Sequence, residues 1–214
     1  MFASENEVTF TFVKILYRNH IIKDHHVVVA QIESLDLEYL RSYGFEWEES
    51  DGLLSKKAES FMARKLLCKE LDLDLSDLGK EGKRPVLLEK ETEISISHSD
   101  RLVAIAYGRN RVGLDIESKW QKLKVIQHKF VNDLEREFVR DTRDTSVIWG
   151  AKESMFKIYS KGSVSYLNDL NVSSFKGDSG TLNASVKKEL SIRCRGLYDW
   201  VRDSRLVALA EVKG

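Results

Sequence analysis

The chain has 214 residues, 42% of them hydrophobic and 32% charged, which suits one large domain or two small lobes with a real core and excludes a disordered chain. Lys+Arg and Asp+Glu balance at 34 each, so no global field draws the protein to nucleic acid or to a membrane surface, and any anion affinity has to be local. Cys68 and Cys194 are too few for a disulfide scaffold or a four-cysteine zinc site; both fall in apolar-periodic stretches and read as inert core thiols. The stretch MFASENEVTF lacks a charged segment followed by an apolar one, and no apolar run reaches membrane-spanning length, so a soluble cytoplasmic protein is expected.

In chain order, VTFTFVKILY and HHVVVAQIE read as strands rich in β-branched residues. DLEYLRSYG reads as a short helix stopped by Gly44. From Leu54 the pattern turns helical: Leu54, Ala58, Phe61, Met62 and Leu66 form an apolar stripe, while Lys56, Ser60 and Arg64 share another face. TEISIS, LVAIAYG and RVGLDIE follow with tight connections, HSDR and RNR, and predict an antiparallel meander. SKWQKLKVIQHKF is expected to be helical, NDLEREFVR opens with a capping-box spacing at Asn132 and Glu135, and DTSVIWGAKESMFKIYSKG is a helix ended by Gly162. DLNVSSF, GTLNASV, LSIRCRGLYD and LVALAEV read as further strands. Strands and helices in both halves predict an α+β protein with two lobes, the break falling near Gly108 to Arg111.

The chemistry concentrates in three places. Asp115 and Glu117 lie two apart on a strand and so share a face, an oxygen pair of the kind hard divalent cations such as Mg²⁺ favour; on this pair alone a solvated strand end with two ordinary acids is the plainer reading. Glu153 and Lys157 are four apart on a helix, where an ordinary surface ion pair is the plain reading. The meander would bring Ser97, His98 and Ser99 beside the two strand acids, and Lys83 and Arg84 lie just upstream in EGKRPVL. Together these make an inventory for displacement at a phosphate: carboxylates for a metal and a base, and basic groups for anionic oxygens.

GKRP, ISHS, GLDIE and WGAKESMFK, in that order between about Lys83 and Gly162, resemble the motifs of the 4′-phosphopantetheinyl transferases, and the length resembles their larger single-chain class. The resemblance implies two similar α+β lobes in pseudo-twofold arrangement, 1–109 and 110–214, with mostly antiparallel sheets packed on helices and coenzyme A in the cleft between them. It implies a Mg²⁺-dependent transfer (Mn²⁺ possible) of phosphopantetheine to a serine of an apo acyl or peptidyl carrier protein, with adenosine 3′,5′-bisphosphate leaving. Carried over by position, Asp115, Glu117 and Glu153 would hold the metal, Glu153 would also take the serine proton, and Lys157 would hold the diphosphate. Lys56, Arg64, Lys83 or Arg84, Ser97, His98 and Lys152 complete the cofactor-binding set, His98 near the 3′-phosphate; the extra residue before Pro85 leaves both Lys83 and Arg84 as matches for one basic position. The family's aromatic-Asn ahead of ISHS is Glu93-Ile94-Ser95 here.

The basic, amphipathic SKWQKLKVIQHKF either docks an acidic carrier protein or is an ordinary surface helix. Two rival functions stand beside the transferase. A metal-dependent nuclease would use the acid-x-Lys element Glu117-Ser118-Lys119, but the chain lacks the basic excess that phosphate-backbone binding needs. A non-catalytic coenzyme A or carrier-binding module would have no use for a complete Asp115/Glu117/Glu153/Lys157 set. No nucleic acid or membrane partner is expected, and two lobes in one chain suggest a monomer.

Overall fold

Val27 and Val29 point to one side of a strand and Val28 and Ala30 to the other, yet all four are buried, so that strand is covered on both faces. The same holds for Leu102–Ala106 and for Leu206–Ala210. Uninterrupted apolar runs such as VVVA and LVALA are the sequence form of this double burial.

The computed structural model describes residues 13–34, 42, 56–82 and 84–213. Strands β1 (Val13–Ile22), β2 (His25–Ile32), β5 (Glu93–Ser99) and β6 (Leu102–Gly108) form a four-stranded antiparallel sheet in the order β1-β2-β6-β5. Strands β7 (Val112–Glu117), β8 (Leu170–Val172), β9 (Gly180–Val186), β10 (Ile192–Val201) and β11 (Ser204–Glu211) form a five-stranded antiparallel sheet in the order β7-β11-β10-β9-β8. A small hairpin, β3 (Leu78–Glu81) with β4 (Arg84–Leu87), lies between the first helix and β5 in the chain. The α+β class is as expected.

Helix α1 (Lys56–Leu71) lays Ala58, Phe61, Met62 and Leu66 on the face of the first sheet that carries Val28, Ala30, Val103 and Ile105. Helix α4 (Thr142–Tyr159) covers the second sheet through Val147, Ile148, Ala151 and Met155, against Val207 and Leu209. The remaining faces, Val27, Val29 and Ala104 on one sheet and Leu114, Leu206 and Ala208 on the other, share a third core. The layer order is therefore α1, first sheet, second sheet, α4. Among the described residues, no helix is long and apolar enough to cross a membrane.

Two expectations are corrected. β6 already pairs with β2 on one edge and β5 on the other, so it offers β7 no free edge; the chain crosses at Arg109–Arg111 and β7 pairs with β11 instead. The stretch after Glu117 is not one helix but a 3₁₀ turn (Trp120–Lys122), the single α-turn α2 (Leu123–Ile126) and another 3₁₀ turn (Gln127–Lys129). None of these pieces has a side-chain cap, and Ile126 (φ −108°, ψ 8°) leaves helical geometry. The helix expected over 36–44 and the strand start at 8–12 lie outside the described residues, Ser42 excepted.

The local signals that hold are the ones with a mechanism. In α3 (Asp133–Arg136), the Glu135 amide donates to Asn132 Oδ1 at 2.9 Å and the Asn132 amide donates back to Glu135 Oε2 at 3.0 Å. The β5–β6 turn has Asp100 and Arg101 at φ 49° and 66°, as a two-residue type I′ connection requires. Helix α4 starts with Asp141 accepting from the Asp144 amide, and ends at Ser160, left-handed at φ 44°, two residues before the expected Gly162. Cys68 and Cys194 are buried and bonded to nothing; burial pushes their thiols up to about 11 and about 12, which keeps them protonated.

Candidate active site

The two sheets meet along β5 and β7, where serine side chains of β5 take backbone amides of β7 and its following residue in place of a backbone-to-backbone ladder. Ser95, Ser97 and Ser99 accept hydrogen bonds from the amides of Leu114, Ile116 and Ser118 at 3.1, 3.2 and 3.1 Å. The partners advance together, so the two strands run parallel and adjacent. The sequence meander placed His98 near Asp115 by the wrong pairing, one strand removed; the serine seam brings the segments closer than that. Ser95, standing where the family pattern has an amide, is one of the three serines that join them.

The seam also feeds the strand acids. A hydroxyl that accepts from an amide still has its own hydrogen to give. Ser97 Oγ lies 3.5 Å from Asp115 Oδ1, and Ser99 Oγ donates to Glu117 Oε1 at 3.1 Å. Glu117 Oε1 also takes the Lys119 amide at 2.7 Å, which holds it at the strand end.

Helix α4 comes close to β7 because Gly113 is a glycine: a Cβ there would sit 1.9 Å from the Ser154 carbonyl oxygen. That approach sets Glu153 and Lys157 over Asp115. Lys157 Nζ donates to the Leu114 carbonyl and lies 3.5 Å from Asp115 Oδ1. Tyr166 Oη donates to Glu153 Oε1 at 2.9 Å, and its ring stacks on Trp149 at 5.3 Å. Beneath them, Arg205 Nη1 donates to Asp115 Oδ2 at 2.7 Å.

The electrostatics separate the two carboxylates. Burial would raise Asp115, but the charges of Arg205 and Lys157 outweigh it and hold the carboxyl below its ordinary value. Glu153 is raised, first by burial and then by the Asp115 charge; the Tyr166 hydrogen bond and Lys157 offset only part of this. The result is a firmly ionised Asp115 beside a more basic Glu153.

Among the described residues, no three acidic, His or Cys side chains are grouped closely enough to ligate one ion. The expected triad of Asp115, Glu117 and Glu153 is thus not gathered: Glu117 is tied to Ser99 and Lys119 while Asp115 and Glu153 couple. Two carboxylates are nevertheless the usual protein share of a Mg²⁺ site, with phosphate oxygens and waters supplying the rest. Glu153 Oε2 has no hydrogen bond among the described residues, Asp115 Oδ1 has contacts only at 3.5 Å, and the mutual repulsion is what a cation would relieve. The donor pair fits Mg²⁺.

A cavity of about 400 Å³ opens beside this cluster, between Arg84, Pro85, Ile94 and Ile96 on one side and Glu153, Phe156 and Lys157 on the other. That size is within the ordinary range for a small-molecule pocket. Phe156 is exposed at its wall, and Arg84 is ion-paired with Glu93.

His98 Nδ1 donates to Glu59 Oε2 at 2.9 Å, and Glu59 Oε1 takes the Arg101 amide at 2.8 Å. A carboxylate only accepts, so Nδ1 carries the hydrogen and Nε2 is the ring's remaining polar atom. Arg101 itself donates to the Ile32 and Glu33 carbonyls. Lys56 is exposed at the start of α1 and Arg64 donates to Ser60 Oγ at 2.9 Å; among the described residues, neither bonds to the acidic cluster. Lys83 lies outside the described residues.

Lys152, expected among the cofactor-binding residues, does not line the cavity. It is 0% exposed, and its ammonium gives hydrogens to Phe130 O at 2.6 Å, Glu135 Oε2 at 2.7 Å and Tyr166 O at 2.8 Å. On the helix, position 152 faces the core while 153 and 157 face β7, so its ammonium is spent on holding α3 and the Tyr166 loop to α4.

Sequence reasoning missed Arg205, Tyr166 and Glu59. Arg205 had a visible signal: a charge just ahead of LVALA, a run too apolar to be surface. Glu59 and Tyr166 had none, because each reaches its partner only through the tertiary fold. The chain matches no protein-family model and no curated protein.

Proposed function

We infer that the protein is a 4′-phosphopantetheinyl transferase, moving phosphopantetheine from coenzyme A to a serine of an apo acyl or peptidyl carrier protein. The observation that carries this reading is the meeting of Asp115, Glu153 and Lys157, from two segments of the chain, beside a cavity of about 400 Å³. In this reading residues 1–109 and 110–214 are two related lobes, and the cofactor lies in the cleft between them.

In the reaction, the carrier serine oxygen bonds to the β-phosphorus of the coenzyme A diphosphate. The bond from that phosphorus to the bridging oxygen breaks, and adenosine 3′,5′-bisphosphate leaves with the electron pair. Glu153, raised by burial and by Asp115, takes the serine proton; a base poised above the ordinary carboxylate range does this better than a fully exposed one. Lys157 holds diphosphate oxygens and balances charge on the leaving group. Arg84 and His98 supply further anion contacts, with His98 fixed by Glu59. Asp115 and Glu153 are the residues that would hold Mg²⁺, which would supply neutralisation of the diphosphate charge when bound.

The test is incubation with coenzyme A, Mg²⁺ and a panel of apo carriers, read by intact mass. One carrier should gain a single phosphopantetheine. Asp115→Ala and Glu153→Ala, confirmed folded, should each abolish the gain; full activity in either refutes the assignment.

A further inference from the structure

Arg205 is the most expensive residue in the neighbourhood of the acids. Its side chain is fully buried, and Nε and Nη2 have no hydrogen-bond partner among the described residues. Only Nη1 is used, on Asp115 Oδ2 at 2.7 Å. Helix α4 leaves room for it at Gly150, where a Cβ would lie 1.7 Å from Nη1 and 2.6 Å from Cζ. A buried ion pair with unsatisfied donors is poor stabilisation, and an apolar side chain of similar volume commonly serves a core as well or better. Stability therefore does not account for the guanidinium.

Its position relative to the acids does. Asp115 and Glu153 face Lys157 and Arg205, so the charges balance with Arg205 present and one negative charge is in excess without it. Arg205 also occupies one of the two Asp115 oxygens, so a cation meets only Oδ1.

We propose that Arg205 is a positioning residue that limits Asp115 to one free oxygen and keeps the site's affinity for a bare divalent cation low. This rests on the transferase reading, in which Asp115 and Glu153 hold the metal. A site so tempered fills when a diphosphate arrives to bring further oxygens, so metal and cofactor bind together. Lys157, exposed enough to follow a ligand, is not equivalent, because Arg205 is walled in by Gly150 and Val207.

The experiment titrates Mn²⁺ alone, without coenzyme A, into the full chain and reads free Mn²⁺ by electron paramagnetic resonance. Arg205→Met should bind Mn²⁺ roughly tenfold more tightly than the parent, since a unit positive charge has left a poorly screened site. Arg205→Lys should stay near the parent, and Asp115→Ala should bind more weakly. Unchanged or weaker binding in Arg205→Met, with Asp115→Ala weakened, overturns the inference and leaves the transferase reading standing. Equal binding by Asp115→Ala and the parent overturns both. Should Arg205→Met fail to fold by circular dichroism, Arg205→Gln, neutral but still able to donate to Asp115, tests the charge alone: it too should bind Mn²⁺ more tightly than the parent, and unchanged binding overturns the inference.

Discussion

Lys152→Met separates a structural lysine from a ligand-binding one. The substitution keeps the chain length of the side chain but removes three hydrogens given to Phe130 O, Glu135 Oε2 and Tyr166 O, from an ammonium that is itself fully buried. Glu135 keeps the amides of Asn132 and Val172, at 3.0 and 2.9 Å, yet is left as a buried charge with no cation. Removing one member of a buried pair costs about 3–5 kcal/mol. For a chain of this size that is a fall of roughly 6–20 °C in the unfolding midpoint. Urea unfolding followed by fluorescence gives the free energy directly. Lys152→Met/Glu135→Gln should regain part of the loss, because no lone charge then stays buried; the recovery is incomplete, since the Asn132 and Val172 amides reach different oxygens of Glu135 and the glutamine keeps only one acceptor. A single mutant that loses less than about 1 kcal/mol, the scale of an exposed pair, refutes the structural assignment. So does a mutant that keeps its stability and loses coenzyme A binding.

Asp144 predicts an acid limb of stability. Burial would raise its carboxyl, but the side-chain and backbone hydrogens of Arg140 outweigh this and lower it. A lowered carboxyl stabilises the fold above the unfolded value of about 3.9 and loses that contribution as pH falls through the folded value. Urea midpoints between pH 3 and 6 should therefore drop more steeply at the acid end for the parent than for Asp144→Asn; parallel curves would refute the assignment. Gly113→Ala should cost about 1–3 kcal/mol and also reduce the proposed transfer, because its Cβ would meet the Ser154 carbonyl at 1.9 Å and push α4 off β7. Unchanged stability and activity would show that the close approach of α4 to β7 is not required.

What could be read from the sequence was what is local. The Asn132/Glu135 box, the helix over Ala58–Leu66, the β5–β6 turn and the strands over 180–186 and 102–108 all follow from side-chain spacing and turn chemistry within a few residues. Asp115 with Glu117, and Glu153 with Lys157, were legible for the same reason. Pairing was not: the tight RNR connection looks like a hairpin, and only the saturation of both β6 edges sends β7 to the other sheet. Nor was the fate of Lys152 legible, since adjacent helix positions 152 and 153 carry equally polar side chains and only packing sorts them into core and site. The split between Glu117 and the Asp115/Glu153 pair depends on a serine and a backbone amide whose reach no spacing rule gives.

Joining two sheets through hydroxyls has a consequence for how the molecule comes apart. Each serine oxygen is a hinge pin for the strands, and at Ser97 and Ser99 the hydroxyl hydrogen is also a brake on an acid. Any motion that parts β5 from β7 must therefore free Asp115 and Glu117 from Ser97 and Ser99 in the same stroke. Widening of the gap between the sheets and release of the carboxylates are mechanically one event.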